Sequence, residues 1–224
     1  MALTEKSIRN IFIYAFPKFI GYGLNLITLP ILTRILTPED FGVIILAWMF
    51  PTIAVSILTF GLAPAAHRYY FEYREDEQKL NALMFSSQAV LYLFLIVSAP
   101  VMFFIKDYIS ELTMGGNRYG LAVFVTFISA YLGQIINFYL LLYQNMERAV
   151  IHSSFTVTQA LVTTIVSLLL VWHFKMSYMG MIYGSLAGSA IVCPAIFIHF
   201  NKSLKIIFKA RILFENIKYG LQII

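Results

Sequence analysis

Charged residues divide this chain into six long apolar segments. The first runs from Arg9 to Arg34 and is interrupted only by Lys18, whereas the other five contain no Asp, Glu, Lys or Arg. A helix crosses the ~30 Å hydrocarbon layer of a bilayer with about 20 residues at 1.5 Å each, and every segment is long enough to do so. The pattern therefore predicts six membrane-spanning helices, of which the last five lie within residues 41–67, 80–105, 119–146, 149–174 and 176–201.

The composition of the 224 residues supports this membrane interpretation. Hydrophobic residues make up 60% of the chain and charged residues 12%, with a mean hydropathy of +0.79. Soluble domains average about 45–50% apolar and about 25% charged residues, so an ordinary water-soluble globule is excluded. The single cysteine, Cys193, excludes an intramolecular disulfide and a zinc site built from cysteines.

The distribution of Lys and Arg predicts the orientation of the chain in the membrane. With six crossings, one side receives eleven of these residues and the other receives four, namely Arg34, Lys106, Arg118 and Lys175. Cytoplasmic loops of membrane proteins carry an excess of Lys and Arg. We therefore expect the N-terminus and residues 202–218 to be cytoplasmic.

The segment that follows the sixth apolar window is amphipathic. Lys202, Lys205 and Lys209 recur at helical spacing among apolar residues, which is typical of a helix on the inner leaflet. Another apolar run begins at Ile217 and is still unfinished at Ile224. Because many transporters duplicate a helical unit, we expect the first half of a larger two-lobe protein.

The predicted fold class is therefore an all-α polytopic membrane protein that forms one lobe of a two-lobe transporter. Its predicted parts are a six-helix N-terminal transmembrane lobe (1–200), a cytoplasmic amphipathic linker helix (201–216) and the start of a truncated seventh transmembrane helix (217–224).

Lys18 is the candidate functional cation. It lies about 13 Å along the first helix from the preceding cation, where an ionised side chain costs ~2.5–3.5 kcal/mol or more. Pro17 beside it removes a backbone donor and frees the carbonyl of Ile13, while Tyr22 and Asn25 follow on the same helical face. Two interpretations stay open: Lys18 reaches along the helix to the inner interface, or it faces a water-filled cavity inside the lobe and attracts an anionic headgroup.

Neutral polar residues form stripes on two of the predicted helices. Such groups either hydrogen-bond one helix to another or line a lumen, where they would bind sugar hydroxyls. The sixth helix also carries Gly180, Gly184 and Gly188 at four-residue spacing, which predicts close packing against a neighbouring helix. The stripe residues are Tyr131, Gln134, Asn137 and Gln144 in the fourth span and His152, Thr156, Gln159, Thr163 and Ser167 in the fifth.

No motif predicts catalysis. The sequence has no P-loop, HExxH or GxSxG signature, and none of its 11 acidic residues lies inside an apolar segment. Its four histidines lie near the ends of the windows and lack the spacing of metal ligands. We therefore predict a protein that is not an enzyme and that uses neither a cofactor nor a metal.

Several short segments resemble one family of membrane proteins. The run Arg-Ile-Leu-Thr-Pro-Glu-Asp-Phe-Gly at 34–42, followed by Phe60-Gly61-Leu62 and by Arg68-Tyr69-Tyr70, is similar to the N-terminal half of the polysaccharide-biosynthesis, or O-antigen (Wzx-type), flippases. Lys218-Tyr219-Gly220-Leu221 resembles the start of that family's seventh helix. The family belongs to the multidrug/oligosaccharidyl-lipid/polysaccharide exporters, whose two six-helix lobes surround a central cavity.

The resemblance implies a transporter of the bacterial cytoplasmic (inner) membrane. Its substrate would be an undecaprenyl-pyrophosphate-linked oligosaccharide, moved between leaflets for the synthesis of O-antigen, capsule or exopolysaccharide. The implied partners are the lipid bilayer, a polysaccharide polymerase and a chain-length regulator, with no nucleic acid. The predicted substrate-binding residues are Lys18, Tyr22, Asn25, Arg68, Gln134, Asn137 and Gln159.

Two other functions stay open at this point. A cation-coupled drug exporter of the same superfamily would be expected to place a carboxylate in the membrane core of its first lobe, and the apolar segments contain none. A non-transporting membrane subunit or a truncated remnant would fit the unfinished apolar run. Arg68 could serve as a topology determinant at a span end instead of a substrate ligand.

Overall fold

The fold is built from helices joined by short turns. The computed structural model describes residues 5–202, 207 and 209–222, and all the regular structure within them is helical. A 3-10 turn at Asn117–Tyr119 precedes the fifth helix, and a π-helical segment at Leu169–His173 ends the sixth. The helices are α1 (Glu5–Ile35), α2 (Pro38–Leu58), α3 (Leu62–Tyr73), α4 (Glu77–Met114), α5 (Gly120–Asn145), α6 (Ala149–Leu168), α7 (Ser177–Asn201) and α8 (Ala210–Leu221).

Six helical segments are long and apolar enough to cross a membrane, which confirms the six predicted spans. Their ends extend past the charge-free windows because charged side chains at a helix terminus can reach the interface. The second segment joins α2 and α3 across a break in the helix. The six segments are Arg9–Ile35, Pro38–Tyr73, Glu77–Met114, Asn117–Asn145, Ala149–His173 and Ser177–Asn201.

Helix α5 forms the centre of the lobe. In its most apolar stretch 56% of the residues are buried, against 6% in α1 and 11% in α6. Helix α5 packs against α2, α3, α4 and α7, and Phe127, Tyr131 and Ile135 lie in the largest apolar core. Thr126 joins α5 to α2 by donating a hydrogen bond to the Ala47 carbonyl at 2.8 Å. The outer helices keep large apolar surfaces exposed, as helices that face lipid do.

Three of the helix connections meet at one end of the lobe. Asp40 belongs to the capping box that starts α2, and Ser177 at the start of α7 donates to the Asp40 carboxylate. Glu39 accepts hydrogen bonds from Arg118 at 3.0 Å and from the Tyr119 hydroxyl at 3.3 Å. The α1–α2, α4–α5 and α6–α7 connections therefore lie together, as six successive crossings require.

At the opposite end, α8 covers the break between α2 and α3. Phe60 and Gly61 adopt left-handed backbone conformations there, with φ of 49° and 58°. Gly220 of α8 packs backbone to backbone on this break, because a Cβ at position 220 would meet the Phe60 carbonyl oxygen. Asn216 is fully buried and donates to the Ser87 hydroxyl of α4 at 2.8 Å. Helix α8 is therefore docked on the lobe.

The helix at this end crosses the boundary between the predicted segments 201–216 and 217–224. Helix α8 runs from Ala210 to Leu221 as one helix, so no helix end separates the two segments, and Lys205 lies outside the described residues. Ile212, Leu213 and Ile217 pack on the lobe, whereas Phe214 and Leu221 are exposed, as are the basic residues Arg211 and Lys218. An amphipathic pattern alone does not distinguish contact with protein from contact with lipid. The division into lobe, linker and seventh transmembrane helix stays a prediction.

Candidate functional site

The open face of α5 lines a pocket of mixed polar and apolar side chains between the membrane-crossing helices α2, α5, α6 and α7. The pocket has a volume of about 330 Å³. Its lining contains no Asp, Glu, Lys or Arg. The polar side chains that line it are Thr52, Ser129, Gln134, Gln159, Ser185 and Ser189.

Two hydrogen bonds between helices hold side chains of this pocket in place. Ser129 of α5 and Ser185 of α7 share one at 2.9 Å. Gln159 of α6 donates from Nε2 to Ser189 Oγ of α7 at 3.4 Å. Helix packing, not a loop, therefore positions these groups. Amides and hydroxyls both donate and accept hydrogen bonds, so the lining suits a neutral ligand rich in hydroxyls.

Two of the seven predicted substrate-binding residues, Gln134 and Gln159, lie in this pocket. Asn137 is exposed and lies one turn beyond Gly133, another lining residue, on the same face of α5. Gln144 follows on that face and is also exposed. The polar face of α5 therefore continues from the pocket toward the end of the helix at Asn145.

Other members of the predicted stripes pack inside the protein. A Cβ on Gly188 would meet Thr163 Oγ1, and one on Gly184 would meet the backbone of Ser167, which confirms the predicted close packing of the α7 glycines. The lumen interpretation is therefore wrong for Thr163 and Ser167. It is also wrong for Tyr131, which is fully buried in the core. Helical periodicity identifies the face of a residue but not the neighbour of that face.

Pro17 lies where α1 leans on α6. Pro17 is buried and lacks the N–H that would bond to the Ile13 carbonyl, as the sequence predicted. Ser153 of α6 donates to that oxygen from Oγ at 2.6 Å and so satisfies it. The Tyr14 and His152 rings meet edge to face with centroids 5.1 Å apart. Helix α1 is thus held through its proline face, and most of its remaining surface is exposed.

The predicted basic residues lie outside the pocket. Lys18, Tyr22 and Asn25 are exposed on one flank of α1. The expectation that Lys18 faces the interior of this six-helix lobe is therefore wrong: Pro17 takes the contact with α6, and the next residue points about 100° around the helix. Arg68 lies on α3, where its guanidinium stacks over the Tyr219 ring at 4.2 Å. That Lys18, Tyr22, Asn25 and Arg68 bind substrate stays a prediction.

Sequence reasoning missed the α2 side of the pocket. Trp48 and Thr52 line it, together with Ser185 and Ser189 of α7. The two serines lie four residues apart beside the glycine stripe, which is a usable signal. Thr52 offers no such signal in the sequence. Its hydroxyl donates to the Trp48 carbonyl at 2.6 Å, as the hydroxyls of threonines in many apolar helices do.

The described residues contain no group of three or more His, Cys, Asp or Glu that could hold a metal ion.

Comparison with known protein families gives a match: a family model described as polysaccharide biosynthesis protein matches residues 7–224. No curated protein matches the chain.

Solved transporter structures share the fold. An outward-facing multidrug resistance MATE family transporter of the MOP superfamily aligns with a TM-score of 0.73 at 14% identity, over 95% of this chain and 51% of that one. A crystal structure of a MATE mutant aligns with a TM-score of 0.70 at 16% identity, over the same shares of 95% and 51%. The chain therefore has the fold of one lobe of such a transporter and spans about half the length of these structures. The predicted all-α, six-helix lobe is confirmed.

Proposed function

Because the chain belongs to the polysaccharide biosynthesis protein family, we propose that it forms the first lobe of a flippase for undecaprenyl-pyrophosphate-linked oligosaccharides. The substrate would cross a bacterial inner membrane from the cytoplasmic leaflet, with the N-terminus of this chain in the cytoplasm. It would supply the synthesis of O-antigen, capsule or exopolysaccharide, with a polymerase and a chain-length regulator as partners. The six membrane-crossing segments and the MATE-like fold support a multi-pass transporter.

The observation that carries this proposal is the uncharged pocket, whose lining includes six polar side chains. Each sugar presents several hydroxyls that donate and accept, and the pocket offers two amides and four hydroxyls for them. Its position between membrane-crossing helices would shield the hydrophilic oligosaccharide from hydrocarbon during translocation. The exposed Asn137 extends the same polar face along α5.

We assign the pyrophosphate to the exposed flank of α1. Lys18 supplies a cation there, and the amide of Asn25 and the hydroxyl of Tyr22 supply donors within two turns. In a two-lobe transporter this flank meets either lipid or the cavity. The cost of an ionised lysine in hydrocarbon favours the cavity. Arg68 would attract the same anion at the end of the lobe where α3 lies.

Lys18→Ala should lower the export of surface polysaccharide while leaving membrane insertion intact. A hydrogen bond to a charged group contributes about 1.5–3 kcal/mol, so the apparent affinity for the substrate should fall about tenfold or more. Lys18→Arg should retain part of the activity because the charge persists. Complementation of a flippase-deficient strain by a two-lobe transporter that carries each substitution in this first lobe measures both variants. Normal export by a well-expressed alanine variant would remove the proposed role.

The pocket is tested separately by Gln134→Leu and Gln159→Leu. Each change removes an amide that would bind a sugar hydroxyl and replaces it with a side chain of similar size, so export should fall while expression is unchanged. Gln78→Leu is the matched control, because Gln78 is exposed at the start of α4 outside the pocket. Equal export by all three variants would exclude the pocket from the substrate path.

A drug exporter is the second candidate, favoured by the structural similarity to a multidrug resistance transporter. The pocket lining has no carboxylate to hold a cationic drug or a coupling cation, which counts against it. Dye efflux in a pump-deficient strain separates the two functions. Efflux without restoration of surface polysaccharide would favour the drug exporter.

A further inference from the structure

Trp48 is the aromatic side chain among the described residues that line the pocket on the open face of α5. It lies midway along α2, ten residues from Pro38 and ten from Leu58, and therefore about 15 Å from either end of the helix. Tryptophan in membrane proteins is concentrated at the two interfaces, where its N–H reaches water. Membrane insertion alone therefore does not explain a half-buried tryptophan at the middle of α2.

The indole of Trp48 has no specific partner in the described part of the chain. Its ring contacts no other aromatic ring and no cation there, and its Nε1–H donates no hydrogen bond. The second tryptophan, Trp172, has the usual location, because it is 71% exposed and lies at the end of the crossing segment Ala149–His173. The ring and the N–H of Trp48 are thus left for a ligand of the pocket.

We propose that Trp48 stacks on one pyranose ring of the transported oligosaccharide and that the pocket prefers a neutral sugar to a uronic acid. This role rests on the proposed function, since it names the part of the substrate that the pocket would hold. Trp48 would then determine specificity, in addition to the two amides already assigned to sugar hydroxyls.

The mixed lining of the pocket matches the chemistry of a pyranose. Such a ring presents C–H groups on its faces and hydroxyls around its rim. Trp48, Val55 and Ala130 supply apolar surface for a face, and the negative face of an aromatic ring attracts the C–H groups. Gln134 and Gln159 supply amides for the rim.

The helix arrangement presents these groups from different sides. Helices α5 and α7 pack on each other, and both α2 and α6 pack on that pair, so Trp48 and Gln159 enter the pocket from separate helices. The amide of Gln134 forms no hydrogen bond within the described residues. Gln159 donates from Nε2 to Ser189, which leaves its Oε1 to accept from a ligand.

The size and charge of the pocket limit the ligand further. Its volume of about 330 Å³ lies near the lower end of the ~300–1,000 Å³ range of ligand pockets, so it suits a single sugar ring. A uronic acid would bring a carboxylate out of water into a lining that contains no Lys or Arg to pair with it. A neutral ring avoids this cost.

Tryptophan fluorescence of the purified chain tests the stacking directly. Since the chain has two tryptophans, Trp172→Phe leaves Trp48 as the reporter. A detergent without sugar is required, because a maltoside would itself present pyranose rings. Methyl β-glucopyranoside should change the emission saturably in the millimolar range expected for so small a ligand. Methyl β-glucuronide should bind at least about tenfold more weakly, as should sorbitol, which has hydroxyls but no ring.

Saturation-transfer NMR of the glycoside measures binding in variants that lack the reporter. Trp48→Leu should weaken binding about two- to tenfold, the range for an aromatic stacking contact, whereas Trp48→Phe should retain part of it. Trp172→Leu, the matched control, should bind as the unchanged chain does. Each variant is compared at equal monodispersity and Tm, and the phenylalanine variant keeps the test valid where leucine disturbs the fold.

Every other result overturns part of the proposal. Equal binding by Trp48→Leu and Trp172→Leu would overturn the stacking role of Trp48, and equal binding of sorbitol would overturn the pyranose. Equal binding of the glucuronide would overturn the preference for neutral sugars. Absence of saturable glycoside binding would overturn the sugar site. Export by a two-lobe transporter that carries this lobe judges the proposed function separately, so export without glycoside binding would remove only the role of Trp48.

Discussion

Gly188→Ala and Gly184→Ala should both destabilise the α6–α7 interface. A second substitution should restore the stability lost by Gly188→Ala but not that lost by Gly184→Ala. A Cβ on Gly188 would meet Thr163 Oγ1, and the next atoms, Gln159 O and Thr163 Cβ, lie 3.2 Å away. A Cβ on Gly184 would lie 2.6 Å from the backbone nitrogen of Ser167 and 2.7 Å from its Cα. Mutation can remove the threonine hydroxyl but not the backbone, so only Gly188→Ala has a rescuing partner.

The expected magnitude is the difference between two opposing effects. Overpacking at a tight contact costs about 1–3 kcal/mol. Alanine also favours a helix over glycine by about 1 kcal/mol, so the free energy of unfolding should fall by up to ~2 kcal/mol. For a chain of 150–250 residues, 1 kcal/mol shifts the Tm by about 2–4 °C, so Gly184→Ala should lower the Tm by up to ~8 °C. Gly23→Ala in α1, where nothing lies within 4 Å of the added Cβ, should leave the Tm unchanged or raise it.

Thermal unfolding of the purified protein in detergent, followed by tryptophan fluorescence, gives the comparison. Gly188→Ala with Thr163→Ala should recover the Tm of Thr163→Ala alone, while Gly184→Ala with Ser167→Ala should stay below Ser167→Ala alone. Equal rescue in both pairs would refute the argument from backbone contact. A Tm of Gly184→Ala as high as that of Gly23→Ala would refute the close packing itself.

Two further perturbations follow from individual contacts. Ser153→Ala should lower the free energy of unfolding by about 1–3 kcal/mol, because the Ile13 carbonyl that Pro17 leaves unpaired loses its donor. In a Pro17→Ala background the N–H of residue 17 can bond to the Ile13 carbonyl, so Ser153→Ala should lower the free energy of unfolding by less. An equal decrease in both backgrounds would contradict the role of the proline. Asp76 caps α4 by accepting from Lys79 N at 3.1 Å, and this backbone bond and the Lys79 side chain hold the pKa of Asp76 below its usual 3.8. The pKa of Asp76 is lower in the folded state than in the unfolded state, so the cap contributes fully to the free energy of unfolding at neutral pH. This contribution starts to decline near pH 3.8 and is lost as the pH falls through the pKa of the folded state. Asp76→Asn keeps an acceptor and should flatten the decrease of Tm in acid, and an unchanged acid slope would contradict this account.

The crossings could be predicted because a charge in hydrocarbon is costly enough to leave a clear trace in the sequence. Apart from Lys18, charged residues are confined to the ends of the segments, so charge-free windows locate the helices whatever their packing. The turn after α4 also depends on a local residue, since Gly115 adopts a φ of +70° that favours glycine. These features depend on single residues and their position in the chain.

The packing of the polar stripes could not be predicted in the same way. Gln159 and Thr163 lie on one face of α6, yet Gln159 lines the pocket while Thr163 packs against Gly188. The difference arises from where α7 crosses α6, which no local pattern contains. Asn216 shows the same limit: it lies in an amphipathic segment, and the pattern of that segment does not reveal that Asn216 is fully buried and bonded to Ser87.

The two sides of α5 also constrain where lipid and the rest of a two-lobe transporter can lie. A polar side chain at membrane depth is tolerated where protein or water covers it, and an apolar crevice is tolerated anywhere in lipid. The Gln134 face and the Lys18 flank carry polar groups, so these surfaces should turn toward the second lobe. The cavity lined by Ala190 and Phe197 has an exposed surface that is almost wholly apolar, and it should turn outward. The buried helix α5 therefore separates a face that carries polar groups from a cavity with an apolar surface.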